Sequence, residues 1–509
     1  MRFQTSRRAF LGGASMALAA PSLLRTSILR GDEKARGSSN RDFEALVGLI
    51  LETPRERCAQ VLGEELRRGL SYRQALAGLL HAAVLHQGTH EIAMMFSAHR
   101  ISGELPVKDA LLPLFWAFDS LARRIASVQP KEPVIRPLAT GTLPSPDKAL
   151  RVLNEAVAAQ DRPTAELAAV SLSRSIGARQ TLELVWRYAC RDGDNLGHKA
   201  IVCANIWRSL DSVGWEHAEI PLRYILGGSA PIGRGTDGTY ESSRQLASQT
   251  QPKLPPDWSS AKADHKATLE LYEEIRAART TAVVGLICQQ LIGGTVKAGS
   301  AWDAIHLSAA DLLYRFKTRE DMRGWPVHSV TSSNALHYAF RNTMDNETRL
   351  LLLLQAAARI SDQMTRRALD KGQVRDIRIA DQGPAEVSAE RETAIQEIFA
   401  LLPCKRLNDA AGDAIDRPKD DEACRKAFAL LTVPAHRSAF IRSACELVNR
   451  KATWNAHDFK FPAAAFEDTG FISERWRPHF LAATVHAIHG PQSEDAPIFE
   501  QARETLATL

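Results

Sequence analysis

The sequence has few aromatic residues and few long β-branched runs. Phe, Trp and Tyr make up 6% of its 509 residues, whereas alanine and leucine are abundant. This composition favours helices over strands. We therefore expect an all-α protein, a multi-helix array of packed helix pairs, that is long enough to bury a large core.

Several motifs of common enzyme classes are missing. The sequence has no P-loop, HExxH, GxSxG or CxxCH, so phosphoryl transfer, zinc-protease, α/β-hydrolase and c-type haem chemistry lose their usual markers. The letters of GxGxxG occur at 233–238, inside a Gly/Ser-rich stretch. A dinucleotide-binding loop needs a strand before it and a helix after it, so we reject that interpretation.

Cysteine is sparse as well. The seven cysteines are scattered in apolar helical contexts, and no CxxC occurs. An odd number without a spacing pattern indicates small core residues rather than a disulfide framework. The sequence leaves a disulfide between Cys190 and Cys203 as an alternative.

The chain carries little excess charge. It has 64 basic and 59 acidic residues, and three of the basic ones, Arg2, Arg7 and Arg8, lie in the first 19 residues. Without them the balance is 61 to 59, a net charge of about +2. No basic stripe remains, so we expect no nucleic-acid partner.

The N-terminus carries the most specific local signal. Residues 6–11, Ser-Arg-Arg-Ala-Phe-Leu, precede a mildly apolar stretch, and Ala17-Leu18-Ala19 offers a small-residue cleavage site. This pattern resembles a twin-arginine export signal within residues 1–30. We expect the translocation machinery as a partner and a periplasmic or cell-envelope location. The stretch is too short and too weakly apolar to span a membrane, and no transmembrane span is expected elsewhere.

Helical periodicity and breaker residues divide the rest of the chain. We predict an N-terminal helical unit over 41–226, a Gly/Ser/Pro-rich loop or linker over 227–262, and a C-terminal helical unit over 263–509 that packs on the first. A helix break is expected near Gln87-Gly88, and one long helix over 264–293.

Four histidines recur in similar contexts. His90, His198, His328 and His457 each follow a break and open an apolar helix or turn, at separations of 108, 130 and 129 residues. Ser97, Asn205 and Asn334 follow the first three at six or seven residues, about two helical turns. The pattern indicates a helix-pair unit used three times with a degenerate fourth, although chance alignment in an Ala/Leu-rich protein is the alternative.

Histidines at helix N-termini are biased towards the neutral form, because the helix macrodipole and burial both disfavour imidazolium. Neutral imidazole ligates metals and accepts protons. We therefore take His90, His198, His328 and His337 as candidate catalytic residues of one buried site; whether it holds a metal or a cofactor stays unknown. Candidate ligand-binding residues are Asn205, Asn334, His306, Asp303 and His457. The alternative is a set of ordinary core or capping histidines.

One further pair of residues bears on metal chemistry. A ferritin-like di-iron site needs Glu-x-x-His on two helices, and the nearest approach is Asp303-x-x-His306. Asp303 either orients His306 or makes a plain side-chain hydrogen bond. We therefore do not expect a di-iron bundle.

Four phrases of the sequence suggest a family. Residues 197–208, 215–219, 302–306 and 328–337 resemble an uncharacterised group of exported bacterial helical proteins. More distantly, the helix-opening histidines are similar to the questin oxidase-like family over about 65–370 and around His457. That resemblance implies a helical fold, oxidative ring cleavage of polyketide-type aromatics and a nicotinamide cofactor.

Two functions are therefore considered. The first is an exported oxidoreductase-like enzyme, or a protein that binds a cofactor or small molecule, with a buried histidine-lined site. The second is a helical-repeat binding or scaffold protein of the cell envelope without catalytic activity. Histidines that meet in one enclosed place favour the first function, and histidines spread along separate repeat interfaces favour the second.

Overall fold

The computed structural model describes residues 42–86, 88–127, 138, 143–191, 196–227, 239–317, 324–402, 417–452 and 456–508. Within these ranges the chain is helical, and its only β feature is a single bridge between Phe316 and Val374. The all-α prediction is confirmed. The proposed export signal, residues 1–30, lies outside the described residues.

The first ten α-helices cover residues 43–227. They are α1 (Phe43–Glu52), α2 (Cys58–Arg67), α3 (Tyr72–Leu85), α4 (Thr89–Ser102), α5 (Leu112–Ser127), α6 (Pro146–Ala159), α7 (Arg162–Ser175), α8 (Ala178–Ala189), α9 (His198–Val213) and α10 (Glu219–Gly227). Short 3₁₀ turns lie at Arg55–Arg57, Val107–Asp109 and Trp215–His217.

The remaining helices follow from residue 240. They are α11 (Tyr240–Thr250), α12 (His265–Arg276), α13 (Thr280–Ile292), α14 (Ala298–Arg315), α15 (Trp325–Asn342), α16 (Asn346–Arg359), α17 (Arg367–Asp370), α18 (Arg391–Ala400), α19 (Arg417–Leu431), α20 (Pro434–Lys451), α21 (His457–Asp468), α22 (Arg477–Ala483) and α23 (Pro497–Leu506). A π-helical segment, Ile360–Arg366, joins α16 to α17, and 3₁₀ turns lie at Gln251–Lys253, Ile379–Asp381 and Thr484–Ala487.

Two boundaries differ from the sequence prediction. The segment predicted as loop, 227–262, contains helix α11, whose buried residues Tyr240, Ser243, Ala247 and Thr250 form one narrow face against α16. Because that face consists mainly of polar and small residues, the sequence shows no hydrophobic periodicity there. The single helix predicted over 264–293 is two helices, α12 and α13, because the chain turns at Ala278 with φ +55°.

The predicted break at Gln87-Gly88 is confirmed. Helix α3 starts at a capping box, in which Ser71 and Gln74 exchange side chain-to-backbone hydrogen bonds, and ends at Leu85. The Gly88 N–H then donates to the Ala83 carbonyl at 2.9 Å, which closes the helix end. Helix α4 starts one residue later and places His90 in its first turn.

A glycine makes the start of α9 possible. Gly197 precedes His198 with φ +81°, a conformation that favours glycine. A Cβ at this position would lie 2.7 Å from Ser332 Cβ and 2.6 Å from Arg359 Nη1. Helices α15 and α16 can therefore lie this close to the start of α9 only because Gly197 has no side chain.

Four helices form a closed ring. Helix α9 packs on α4 and α15, and α21 packs on α15 and α4. Two of them come from the first half of the chain and two from the second. Each of the four carries one of the recurring histidines in its first turn. The ring therefore brings four helix N-termini to one place.

The core is built largely of small and aliphatic side chains. The cysteines among the described residues, all except Cys404, are buried and form no disulfide with each other, so the Cys190–Cys203 pair that the sequence left open is not formed. None of the helices in the described ranges is both long and apolar enough to cross a membrane.

Candidate functional site

Four histidine side chains from the helix ring meet. His198 Nε2 lies 3.2 Å from His90 Nε2 and 3.2 Å from His328 Nε2. His457 Nε2 lies 3.4 Å from His328 Nε2, and the His457 and His90 rings are 4.8 Å apart. We call these four residues the four-histidine centre.

Burial favours the neutral form of His90, His328 and His457. Burial lowers the pKa of His90 to about 2, with help from Lys460 and His198. The pKa values of His328 and His457 are also far below their usual range, with burial as the largest cause and Lys460 as the next. The positive ends of four helix dipoles act in the same direction. His90 and His198 stay partly exposed, whereas His328 and His457 are buried.

A backbone carbonyl sets the tautomer of His328. Its Nδ1 lies 2.8 Å from the Gly324 oxygen, which can only accept a hydrogen bond. Nδ1 therefore carries the proton, and the lone pair of Nε2 faces the centre. A carbonyl on the distal nitrogen is the usual outer support of a metal-binding histidine.

A buried lysine, missed in the sequence, belongs to the centre. Lys460 is 3% exposed, and its Nζ lies 3.3 Å from His328 Nε2. Burial lowers the pKa of Lys460 to about 7, while Glu91 opposes the shift. The only signal was its spacing of three residues from His457, which places both on one face of α21.

The donor set fits a transition metal. The ligand atoms of His90, His198 and His328 all lie within 4.8 Å of one another. A tetrahedral ion with bonds of about 2.1 Å places its ligand nitrogens about 3.4 Å apart, close to the separations from His198. Neutral imidazoles suit zinc, copper, iron and nickel. His457 Nε2 lies 3.4 Å from His328 Nε2 but is not in the set of three whose ligand atoms lie within 4.8 Å of one another.

His306 and His337 form a different cluster, so the prediction that His337 joins the first site is wrong. His306 Nε2 lies 2.9 Å from His337 Nδ1, and His306 Nδ1 lies 3.5 Å from Asp468 Oδ2. His337 follows His328 by nine residues on α15, a rise of about 13 Å. The two clusters therefore lie towards opposite ends of α15.

A polar network connects to this second cluster through Asn334. Its amide nitrogen donates to Asp468 Oδ1 at 2.9 Å and to Glu467 at 2.7 Å, and its oxygen accepts from Arg208 at 3.0 Å. Arg208 also pairs with Glu467. Asn334, predicted to bind a ligand beside the four histidines, instead supports Asp468.

Two other predicted residues do not face the four-histidine centre. The Asn205 side chain donates to the Ile201 carbonyl at 2.8 Å, one turn back on its own helix. Asp303 accepts a hydrogen bond from the Ser473 N–H at 2.9 Å. Asp468, and not Asp303, is the carboxylate beside His306, so Asp303 makes the plain hydrogen bond that was its alternative role.

Comparison of the chain with models of known protein families, with curated proteins and with solved structures finds no match. The resemblance to the questin oxidase-like family therefore remains a prediction from the sequence phrases.

Proposed function

We propose that this protein is a transition-metal-dependent oxidoreductase in which His90, His198, His328 and His457 bind the metal ion. One observation carries the proposal: four imidazoles from four separate helices turn nitrogen atoms towards each other at 3.2–3.4 Å. Ordinary core histidines satisfy their nitrogens separately, with backbone or side-chain partners.

Proton counting supports an ion in this place. Each neutral imidazole carries one proton, and His328 has already used its proton on the Gly324 carbonyl. Its Nε2 lone pair then needs a donor, and Lys460 is one. Because the pKa of Lys460 is lowered to about 7, this lysine readily loses its proton near neutral pH. A divalent ion would accept the His328 Nε2 lone pair in place of the lysine N–H, and a neutral Lys460 would not repel that ion.

Electrostatics favours an anionic ligand on that ion. Four helix N-termini and Lys460 make the centre positive, and Glu91 on α4 is the acidic group that acts on Lys460. A hydroxide or phenolate oxygen on the metal would offset the remaining charge. A phenolate agrees with the polyketide-type aromatic substrates that the family resemblance implies. The proposal assigns the redox role to the metal rather than to the nicotinamide.

The proposed twin-arginine export is compatible with this function. That pathway accepts folded cargo, so a metal could be loaded in the cytoplasm before transfer to the periplasm or cell envelope. The translocation machinery and the location remain part of the proposal, supported by Arg7-Arg8 and the apolar stretch that follows.

Metal analysis of matched variants tests the proposal. Full-length protein, purified without metal-chelating resin, is measured by plasma mass spectrometry beside His90→Ala and His99→Ala. His99 is the control because it lies on the same helix and pairs with the Tyr72 hydroxyl at 3.1 Å instead. We expect His90→Ala to contain about one metal equivalent less than the wild type and His99→Ala to match the wild type. A metal-free wild type that binds no added metal would support the scaffold function instead.

A further inference from the structure

We infer that His306, His337 and Asp468 form a second divalent-metal site, separate from the four-histidine centre. The inference goes beyond the proposed function, which uses none of these residues. The side chains come from three helices, α14, α15 and α21, and all three are buried, with exposures of 0%, 5% and 1%.

The spacing of the donor atoms fits one ion. One ligand atom from each residue lies within 4.8 Å of the other two. The 2.9 Å approach joins His306 Nε2 to His337 Nδ1, whereas the 3.5 Å approach joins the other His306 nitrogen, Nδ1, to Asp468 Oδ2, so one ion takes only one of these two His306 nitrogens. Neighbouring ligands of an ion with bonds of about 2.1 Å lie about 3.0–3.4 Å apart. Because the donor atoms lie within 4.8 Å rather than 3.4 Å of one another, the side chains must rotate to close the set around a metal.

The chemistry of the set selects a transition metal. Two neutral imidazoles and one carboxylate are ligands of iron(II), manganese(II), cobalt(II) and zinc(II). Calcium and magnesium prefer sets made only of oxygen. Arg208 and Glu467 already pair with each other, so Asp468 supplies the local negative charge for the ion.

Two buried polar atoms point to a missing ligand. His306 Nδ1 and Asp468 Oδ2 are both buried and make no hydrogen bond within the described part of the chain. Burial of such atoms without a partner is costly. Burial, and next the neighbouring Glu467, raise the pKa of Asp468 far above its usual range, although Asn334, Arg208 and Arg341 oppose the shift. A metal ion would satisfy both atoms.

The surrounding residues hold the donors in place. Asn334 donates to Asp468 Oδ1 at 2.9 Å, which leaves Oδ2 directed at His306. The Trp302 indole stacks on the His337 ring with centroids 4.2 Å apart and planes at 9°. Hydrogen-bonded carboxylates and fixed imidazole planes are typical outer supports of metal ligands.

Without an ion, the same groups form a chain in which Asp468 faces His306 and His306 hydrogen-bonds His337. A row of Asp468, His306 and His337 without a metal is the competing explanation. Counting the bound metal ions distinguishes this row from a metal site. The full-length protein is stripped with a chelator and titrated with cobalt(II), with bound cobalt counted by plasma mass spectrometry after desalting. The variants are Asp468→Asn and His328→Ala, with His99→Ala as control.

We expect two cobalt equivalents in the wild type and in His99→Ala, and one in each of the other two variants. Asp468→Asn keeps the size of the side chain, so circular dichroism should show an intact fold; His337→Gln provides a second variant of the same site. Two equivalents retained in Asp468→Asn and His337→Gln would overturn the inference. A wild type with one equivalent, lost in His328→Ala and kept in Asp468→Asn, leaves only the hydrogen-bonded chain. One equivalent lost in Asp468→Asn and kept in His328→Ala supports the second site and contradicts the four-histidine centre.

Discussion

His328 and His337 lie on the same helix, nine residues apart, yet they belong to two different histidine clusters. Helix α21 has the same arrangement, with His457 and Lys460 near its start and Asp468 at its end. Helices α15 and α21 therefore each contribute donors to both centres, which lie about 13 Å apart along α15.

The metal-free protein should lose stability steeply in mild acid. In the unfolded chain histidine binds a proton at about pH 6.5, but the pKa values of buried His306, His328, His337 and His457 are lower in the fold, with about 3 for His306. The unfolded state therefore binds more protons below pH 6.5, and the free energy of unfolding falls by about 1.4 kcal/mol per pH unit for each such histidine. Urea unfolding at pH 7.5, 6.5 and 5.5 measures this, and an unchanged free energy across that range would contradict it.

Lys460→Met should remove a rise in stability above neutral pH. The pKa of Lys460 is about 7 in the fold and 10.5 in the unfolded chain, so between these values the unfolded state binds the extra proton. Stability then increases with pH, by about 2 kcal/mol between pH 7 and pH 9 from this residue. Urea unfolding of metal-free wild type and variant at both pH values tests it. Equal pH responses of the two proteins would show that Lys460 titrates normally.

Gly197→Ala should both destabilise the protein and weaken metal binding. The variant residue would have to adopt φ +81° against Ser332 and Arg359, which costs about 1–3 kcal/mol and displaces His198. Gly285→Ala is the matched control, because it lies within helix α13 and a Cβ there meets nothing within 4 Å. The control should be neutral or more stable, by up to about 1 kcal/mol. Thermal unfolding and cobalt titration check both, and equal behaviour of the two variants would count against the close packing at Gly197.

The sequence predicted the features that depend on neighbouring residues, such as helix starts and breaks. The break at Gln87-Gly88 and the helix starts at His198 and His457 follow from local chemistry, and a histidine that opens each of four helices can be read directly. That these helices close into a ring depends on packing between distant segments. The sequence therefore supplied the set His90, His198, His328 and His457 as candidates, but only the fold gives their distances.

Other residues could not be placed from the sequence. His337 shares a helix with His328, but a separation of nine residues moves it away from the first cluster. Lys460 and Asp468 carry charges that usually mark an exposed helix face, and their burial depends on α4 and α15 packing around α21. Ser97 and Asn205 had the right spacing, yet their side chains donate to the carbonyl one turn back on their own helices.

X-ray absorption at the metal edge of Asp468→Asn, loaded with one equivalent of cobalt(II), tests the central claim most directly. In this variant the second site is disabled, so the spectrum reports the four-histidine centre alone. The account predicts a first shell dominated by nitrogen at about 2.0–2.1 Å, with the outer-shell scattering of three or four imidazoles. A shell of oxygen atoms without imidazole scattering, or protein that returns no bound cobalt, would contradict it.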